Sequence, residues 1–268
     1  MLHNLRQLPR YRGLIQSLVA RELKARYRGS VLGFFWSFIN PLLLLLIYSF
    51  VFSVVLPGTH PAEIEPYALF MFCGILPWTW FSSSLSESAN VLIGHGNLIK
   101  KVLFPAEILP IVTVLANMVH FFLGLPILVG FLIYYWRPIT LTELIWFPVV
   151  VFVQALFTTS LALILSALTV HFRDIKDLLA NLLTFWFFAT PIIYPMTQAT
   201  GAAGGYAKTL LDLNPMTHIA ISYQEILFYP GPFGHWQWLL ALGGASVVLF
   251  LIGYFLFDRL RDSFAEEV

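Results

Sequence analysis

Residue types that can do chemistry occur in this sequence, but their spacing does not build a catalytic or metal-binding site. No two of the seven histidines lie three or four residues apart, and no HExxH motif occurs. Glu87, Glu107 and Asp174 are too widely separated to predict an acid–base pair. We interpret His120, close to Asn117, as a hydrogen-bonded helix residue, and we expect no metal, no cofactor and no enzymatic activity in this chain.

The sequence also lacks a phosphate-binding loop. It contains no Gly-x4-Gly-Lys-[Ser/Thr] motif, whose backbone N–H groups cradle nucleotide phosphates. The segment most similar to this motif, residues 94–101, lacks the Ser or Thr that would hold magnesium. It also joins two apolar segments rather than a strand and a helix. Any energy from ATP must therefore come from another chain.

The composition indicates an integral membrane protein. Of the 268 residues, 59% are hydrophobic and 11% are charged, whereas about 25% are charged in an average soluble domain. So few charges cannot cover a water-exposed surface, and the net charge of +1 argues against nucleic-acid binding. The single cysteine, Cys73, cannot form a disulfide within the chain.

Long uncharged segments predict the membrane-spanning helices, because about 20 apolar residues cross the hydrocarbon core and a helix satisfies its own backbone hydrogen bonds there. Six windows of at least 21 residues contain no Asp, Glu, Lys or Arg. They predict an all-α integral membrane protein with six transmembrane helices. The predicted spans are 31–56, 66–93, 106–135, 143–170, 178–193 and 236–257.

The basic residues predict the orientation of these spans. Six crossings place both ends of the chain on one side, where thirteen of the fifteen Lys and Arg residues also fall. Since loops rich in Lys and Arg remain in the cytoplasm, both termini are predicted to be cytoplasmic, and Glu87 and Glu107 to lie near hydrated cytoplasmic ends. The resulting divisions are a cytoplasmic N-terminal segment at 1–30, a membrane domain at 31–258 and a cytoplasmic tail at 259–268.

Residues 10–28 have the pattern of an amphipathic helix rather than a span. Apolar residues recur at helical spacing on one face and basic residues on another. Such a helix lies in the cytoplasmic headgroup region, where each basic residue gains about 1 kcal/mol from anionic lipid. It is either a simple membrane anchor or an element that contacts a cytoplasmic partner or a lipid headgroup. Gly29 and Gly33 allow a sharp turn after it.

The second cytoplasmic loop, residues 97–105, combines two cations with apolar residues and a closing proline. An exposed apolar surface in the cytoplasm needs a protein or a lipid surface to cover it. The loop is therefore either an ordinary positively charged tether or a short interfacial helix that docks into the groove of a partner.

Residues 194–235 are rich in Pro and Gly yet also apolar. We expect helices that dip into the outer half of the membrane and return, including a short helix at 219–229. Such irregular backbone is tolerated where it lines a cavity or is buried in protein. A plain extracellular loop is the alternative.

Aromatic residues make up 16% of the chain. One group lies near predicted span ends, as in an aromatic belt. Aromatic side chains at deeper positions either pack against lipid and protein, which is the default, or line a lumen in which sugar faces stack on them. The candidates for a lumen are Tyr48, Phe52, Trp78, Trp80, Phe185, Trp186 and Phe188.

Together these segments resemble the ABC-2 type permeases that export polysaccharides. The amphipathic helix and the turn after it carry RELKARYRGSVLG at 21–33, followed by Trp36 and Asn40-Pro41. Further motifs follow in order over nearly the whole chain. They are NLIKK at 97–101 with Phe104-Pro105, FRDI at 172–175, PIIYP at 191–195 and Asn214-Pro215.

This resemblance implies a type V exporter-like fold in which two copies of the chain form one channel. Two ATPase subunits beneath it would bind ATP and Mg. The substrate would be a glycan on undecaprenyl diphosphate, O-antigen first, exported across the bacterial inner membrane. Teichoic acid or another cargo of ABC-2 exporters is the alternative, and a membrane enzyme acting on lipid-linked sugars is a more remote one.

The resemblance also implies roles for individual segments. The loop at 94–105 would hold the coupling helix that docks on the ATPase, through Asn97, Leu98, Ile99, Lys100, Lys101, Phe104 and Pro105. The amphipathic helix would lie beside an entrance portal whose lipid-headgroup cations are Arg21, Lys24, Arg26 and Arg28. The segment at 194–235 would supply re-entrant external gate helices. The gate residues would be Pro191, Tyr194, Pro195, Asn214 and Pro215.

Overall fold

The structure is a computed structural model that describes residues 8–55, 64–100, 104–136, 141–229 and 231–267. Within these ranges every regular element is a helix, which confirms the predicted all-α class. Four of the helices in these ranges are long and apolar enough to cross a membrane, so the chain is a multi-pass membrane protein. Lys101 lies outside the described residues, and so does the side chain of Phe52.

The N-terminal helix α1 (Arg12–Arg26) covers most of the predicted amphipathic segment. After it, Gly29 and Gly33 adopt φ angles of +80° and +49°, which side chains disfavour, and this confirms the predicted sharp turn. Ser30 stabilises the turn. Its hydroxyl accepts hydrogen bonds from the Gly33 N–H at 3.2 Å and from the Trp36 indole N–H at 3.1 Å.

Nine further helices follow along the described chain. Helix α2 (Trp36–Phe50) follows a 3-10 turn at Gly33–Phe35 and continues as a π-helical turn at Val51–Val55, so within the first predicted span the α-helix begins only at Trp36. The remaining helices are α3 (Tyr67–Gly94), α4 (Gly96–Ile99), α5 (Ile108–Tyr134), α6 (Leu141–His171), α7 (Ile175–Phe188), α8 (Met196–Leu213), α9 (Pro215–Leu227) and α10 (Trp236–Glu267).

Four of the predicted spans agree closely with α3, α5, α6 and α10, although α10 runs on beyond residue 257. The fifth, 178–193, differs because α7 already ends at Phe188. Pro191 lacks an N–H group and disfavours helical backbone in the residue before it. The 14 residues of α7 extend about 21 Å, which is less than the roughly 30 Å of hydrocarbon in a bilayer.

Helix α9 begins at residue 215 rather than at the predicted residue 219. Pro215 occupies the first helical position, where its missing N–H costs nothing. Asn214 caps the helix, since its side-chain oxygen accepts a hydrogen bond from the Met216 N–H at 3.0 Å.

Contacts at the two ends of the bundle fix the helix directions. At one end, here called the α4 end, the last turns of α3, α6 and α10 meet the beginning of α5 in one apolar cluster. At the opposite end, here called the α9 end, Trp146 of α6 lies 5.0 Å from Phe233, and Trp238 of α10 lies 4.8 Å from His218 of α9, between ring centroids. Helices α6 and α10 therefore run parallel, from the α9 end to the α4 end. Helix α7, which follows α6 in the sequence, returns the chain towards the α9 end.

Helix α3 forms the centre of the core. Its Trp80 is 2% exposed, donates its indole N–H to the Val114 carbonyl at 3.1 Å and lies 5.2 Å from the Phe121 ring. Its Trp78 is also buried and packs 5.6 Å from the Phe187 ring of α7. Both side chains thus serve packing within one subunit, and the argument for a lumen rests on other aromatic residues.

Close packing of α6 on α10 depends on glycine. A Cβ atom added at Gly253 would lie 2.9 Å from the backbone oxygen of Ser160 and 3.1 Å from Cγ1 of Ile164. A backbone atom of a neighbouring helix cannot rotate away, so even a methyl group would separate the two helices. At Gly244 of the same helix, an added Cβ would meet nothing within 4 Å.

We predict that Gly253→Ala destabilises the protein, because overpacking of this kind costs about 1–3 kcal/mol. Thermal unfolding in detergent measures the effect as a lower Tm. Gly244→Ala is the matched control and should keep or slightly raise the Tm, since alanine favours helix over glycine. Equal Tm values for the two variants would contradict the tight α6–α10 contact.

Candidate functional site

A partly polar cavity of about 510 Å³ lies between α1, α2, α3 and α5. Hydroxyl, amide and imidazole groups in its wall can donate or accept hydrogen bonds, while aromatic rings supply apolar faces. The polar lining includes Arg26, Tyr27, Ser30, Ser37, Asn40, Thr79, Ser83, Asn117 and His120, and the aromatic lining includes Trp36, Trp80 and Phe121.

One hydrogen-bonded network ties α1 to the wall of this cavity. A guanidinium nitrogen of Arg26 donates to both carboxylate oxygens of Glu87 at 2.8 Å, and the other donates to the Asn117 amide oxygen at 3.1 Å. Asn117 in turn donates to Glu87 at 2.7 Å and to the Thr113 carbonyl at 3.1 Å. The network ties α1 to both α3 and α5 through a single arginine.

This ion pair is only partly buried. The side chains of Arg26 and Glu87 are 30% and 39% exposed. Pairs with this much solvent contact contribute little net free energy, about 0–1 kcal/mol. An incoming anion with more charge than a carboxylate can therefore take the place of Glu87 on the guanidinium. Only one guanidinium nitrogen contacts Glu87, whereas phosphate oxygens fit two of its nitrogens at once.

A second polar group lies in the same cavity. The hydroxyl of Tyr27 contacts the Ser37 hydroxyl and lies 3.1 Å from Nδ1 of His120. The Nε2 atom of His120 is buried and has no hydrogen-bond partner among the described residues. The structure thus shows His120 as a hydrogen-bonded helix residue with one ring nitrogen left for a further partner.

At the α4 end, helix α4 occupies the middle of the predicted coupling loop. Asn97 and Lys100 are exposed, and Ile99 is half-buried against the apolar cluster there. Phe104 is also half-buried, and Pro105 is buried. The segment therefore has an inner apolar side, which attaches it to the bundle, and an outer polar side.

At the α9 end, Asn214 joins two segments of the chain. Its side-chain oxygen accepts the Trp186 indole N–H at 2.7 Å in addition to the N–H of Met216, and its amide nitrogen donates to the Ala189 carbonyl at 2.9 Å and to the Thr190 hydroxyl at 3.0 Å. Every bond to this side chain is thus made to the end of α7 or the start of α9. Asn214 fixes the chain where α7 stops and α9 begins.

Two histidines meet beside this junction. Nδ1 of His218 lies 2.9 Å from Nε2 of His235, and Nε2 of His218 lies 2.8 Å from the Asp212 carbonyl oxygen. The carbonyl can only accept, so His218 donates to it, and one proton is shared between the two facing ring nitrogens. Glu225 holds the second histidine in place by accepting its backbone N–H at 3.0 Å.

Comparison with known proteins decides the family of this chain. The family described as ABC-2 type transporter matches residues 13–228. The chain is 42% identical to the O-antigen export system permease protein RfbA of Myxococcus xanthus over 268 residues, which cover 100% of both chains. This chain belongs to the ABC-2 type transporter family.

Other relatives of this ABC-2 family chain have names of the same kind. The O-antigen export system permease protein RfbA of Klebsiella pneumoniae is 31% identical over 253 residues, covering 94% of each chain. The polysialic acid transport protein KpsM of Escherichia coli is 25% identical over 261 residues, covering 92% of this chain and 93% of the relative. The resemblance to the ABC-2 permeases noted in the sequence is thus confirmed.

The structure separates the four predicted portal cations of this ABC-2 chain. All four are exposed, but of these cations Arg26 lines the cavity and is bonded to Glu87. The charge pattern of the sequence predicts that Arg26 and Glu87 both lie near the cytoplasmic face. It does not predict which of the neighbouring cations forms the ion pair with Glu87.

The remaining predicted residues fall into two groups. Among the lumen candidates, Phe185 and Phe188 of α7 are 70% and 58% exposed, whereas Tyr48 and Trp186 are half-buried. The gate candidates, by contrast, are buried or half-buried around the end of α7. They are Pro191, Tyr194, Pro195, Asn214 and Pro215.

The histidine pair is a feature that the sequence does not indicate. His218 and His235 are not at helical spacing, and only the return of the chain after α9 brings them together. Burial, followed by the nearby His218, lowers the pKa of His235 to about 4, and Asp212 opposes this shift. The rings of His218 and Trp238 stack at 4.8 Å.

We predict that acid loosens the α9 end of this ABC-2 chain. Because the folded pKa of His235 lies below its usual value, its contribution to stability is complete above about pH 6.5. That contribution is lost as the pH falls through about 4. Thermal unfolding at pH 7 and at pH 4.5 should show a larger fall in Tm for the wild type than for His235→Gln, which does not titrate.

Glu225→Gln provides the control for this comparison. It keeps both ring nitrogens of the pair, so its Tm should depend on pH as the wild-type Tm does. If His235→Gln and the wild type lose the same amount of Tm on acidification, the histidine pair does not produce the effect.

Proposed function

We propose that this chain is the channel-forming subunit of an ABC transporter that exports polysaccharide linked to undecaprenyl diphosphate, O-antigen in the first place, across the bacterial inner membrane. ATP hydrolysis in a separate subunit supplies the energy. The observation that carries the proposal is the polar cavity beside a cationic helix. The names of the full-length relatives support it.

The lipid diphosphate is the part of such a substrate that needs cations. Arg21, Lys24 and Arg28 are exposed on α1 and the turn after it, where they can collect an anionic headgroup from the inner leaflet. Arg26 then offers its guanidinium at the cavity itself, provided that the diphosphate displaces Glu87. Arginine suits this task because its fork matches phosphate oxygens.

The glycan requires different chemistry, and the cavity supplies it. Ser37, Asn40 and Ser83 offer neutral hydrogen-bonding groups, and the ring of Trp36 offers an apolar face to sugar rings. Neutral contacts allow a long polymer to slide without a deep binding minimum. We place the reducing end of the glycan in this cavity, next to the diphosphate.

The proposed topology has six crossings with both termini in the cytoplasm. The parallel run of α6 and α10 supports it, because α7 must then return the chain across the bundle. Helix α7 is too short to span alone, so α8 and α9 complete the crossing as external gate helices that dip into the outer half of the membrane. Helix α2 with its π-turn supplies the first crossing.

The channel itself lies between two copies of this chain in the proposed assembly. Helices α2 and α7 expose apolar side chains that one subunit leaves uncovered, among them Leu46 and Ile47 on α2 and Leu182 on α7. Phe185 and Phe188 lie on the exposed side of α7 and are the best-placed aromatic residues for a lumen. A homodimer would bury part of this surface and enclose the polymer.

Two ATPase subunits, which bind ATP and Mg, complete the transporter in this proposal. The exposed Asn97 and Lys100 of α4 face the cytoplasmic side of the proposed topology, while Ile99 attaches the helix to the bundle. A short helix held this way can transmit the force that a partner applies to it. The external gate at the opposite end includes Tyr194 and Asn214.

The proposed function is tested by reconstitution. The purified chain, its partner ATPase and lipid-linked glycan are incorporated in vesicles, and export is measured with and without ATP. We expect export only when the ATPase and ATP are both present. Glycan movement by this chain without the ATPase would refute the proposal. Selective movement of a teichoic-acid precursor would replace the O-antigen assignment.

We predict that reversing the exposed portal charges, as Arg21→Glu, Lys24→Glu and Arg28→Glu together, slows export at least about tenfold. Each basic residue near the membrane surface contributes about 1 kcal/mol to the attraction of anionic headgroups. The measurement is the initial export rate of lipid-linked glycan in reconstituted vesicles.

A matched control reverses Arg10 and Arg12, which are exposed at the other end of the same amphipathic segment. This control should export at close to the wild-type rate. A similar loss in both sets would mean that total charge, and not the portal, governs loading.

We predict that replacing Lys100, Lys101 and Phe104 together by Ala lowers the stimulation of the ATPase about fivefold or more, since truncating central contact residues of an interface typically costs over 1 kcal/mol. The amount of protein in the membrane should not change. Lys176→Ala removes an exposed cation on α7 instead and should leave the stimulation intact. Full stimulation by the triple variant would exclude this segment as the docking site.

A further inference from the structure

Glu107 is a buried carboxylate that follows the predicted coupling loop at 94–105, here called the coupling segment. The sequence predicts that it lies at a hydrated end, but its side chain is only 4% exposed. Its Oε2 atom has no hydrogen-bond partner among the described residues. A buried charge without compensation is costly, so the position requires a cation nearby.

Arg261, near the end of α10, supplies that cation. Its Nη1 atom lies 3.7 Å from Oε2 of Glu107, which is an ion-pair distance rather than a hydrogen bond. Arg261 is 32% exposed, so one partner of the pair reaches water and the other does not. Separating the two would leave the Glu107 charge uncompensated in the interior, and the pair thus holds α10 to the start of α5.

An apolar cluster reinforces the same junction. Phe264 of α10 is fully buried, and its ring lies 5.1 Å from the Phe257 ring. Ile99 of α4 and Phe104 pack against this cluster from the coupling segment. The coupling segment is therefore seated on the last turns of α10 as well as on α5.

Helix α10 continues from this junction to the opposite end of the bundle. Nε2 of His171, at the end of α6, lies 2.9 Å from the Ser263 hydroxyl, and Gly253 keeps α10 in close contact with α6 farther along. At the α9 end, Trp238 of α10 stacks on His218. One continuous helix thus contacts both the coupling segment and the external segment.

We propose that Glu107 and Arg261 are positioning residues for energy coupling. Their ion pair keeps the coupling segment attached to α10, so that movement of the ATPase reaches α10 and, through it, the α9 end. This inference rests on the proposed function, in which α4 docks on an ATPase. A purely structural ion pair would stabilise the fold without affecting the glycan exported per ATP.

The test uses the permease–ATPase complex reconstituted in vesicles with lipid-linked glycan. Export and ATP hydrolysis are measured in the same preparation across a range of glycan concentrations. For Glu107→Gln and for Arg261→Gln we expect ATP hydrolysis to be retained. The maximal export per ATP should fall at least about fivefold, the lower end of typical coupling effects, with an unchanged half-saturating glycan concentration.

A charge exchange separates coupling from folding. Glu107→Arg and Arg261→Glu are made singly and together, and the Tm of each complex is recorded. The double variant should recover most of the export per ATP that each single variant loses. Arg259→Gln, at an exposed position two residues before Arg261, is the matched control and should couple normally.

The outcomes are distinct. Export per ATP at the wild-type level in both Gln variants overturns the inference while leaving the proposed function intact. So does a double variant that regains the wild-type Tm but not the export per ATP. If the wild-type complex itself shows no ATP-driven export, the proposed function fails, and the inference falls with it.

Discussion

The constraint on which this structure depends is that backbone polar groups need partners wherever water is scarce. Long helices satisfy it internally, but prolines and chain reversals do not. Amide side chains fill the gap that follows α7. Gln224 donates to the Pro191 carbonyl at 2.9 Å, and Asn214 donates to the Ala189 carbonyl at 2.9 Å. These two bonds allow the chain to depart from helical geometry inside an apolar bundle.

Polar residues are consequently concentrated where helices are interrupted or meet. The cavity beside α1 combines the turn at Gly29 with the Arg26 network, and the α9 end combines Asn214 with a histidine pair. Between these regions, α3, α6 and α10 provide an apolar core with small residues at close contacts. The proposed function needs this division, because a polar polymer would have to pass while the surrounding helices remain packed.

The sequence predicts the long helices well because an uncharged window of more than 20 residues has few alternatives to a membrane helix. It fails for the fifth span, where Pro191 ends α7 inside an uncharged window. It also places Glu107 in water, because distance from a span end does not reveal a covering helix such as α10. Some residues, such as His218 and His235, come together only because the chain turns back on itself. Their separation along the sequence does not predict the contact.

The turn held by Ser30 gives the cavity two walls of unequal stiffness. On one side Trp80 is bonded to the backbone of α5 and packed on Phe121, so this wall belongs to the core. On the other side, two neutral hydrogen bonds to Ser30 maintain the turn between α1 and α2. Each contributes only about 1 kcal/mol. A bulky occupant would therefore enlarge the cavity most readily at this turn, while the bundle behind it keeps its shape.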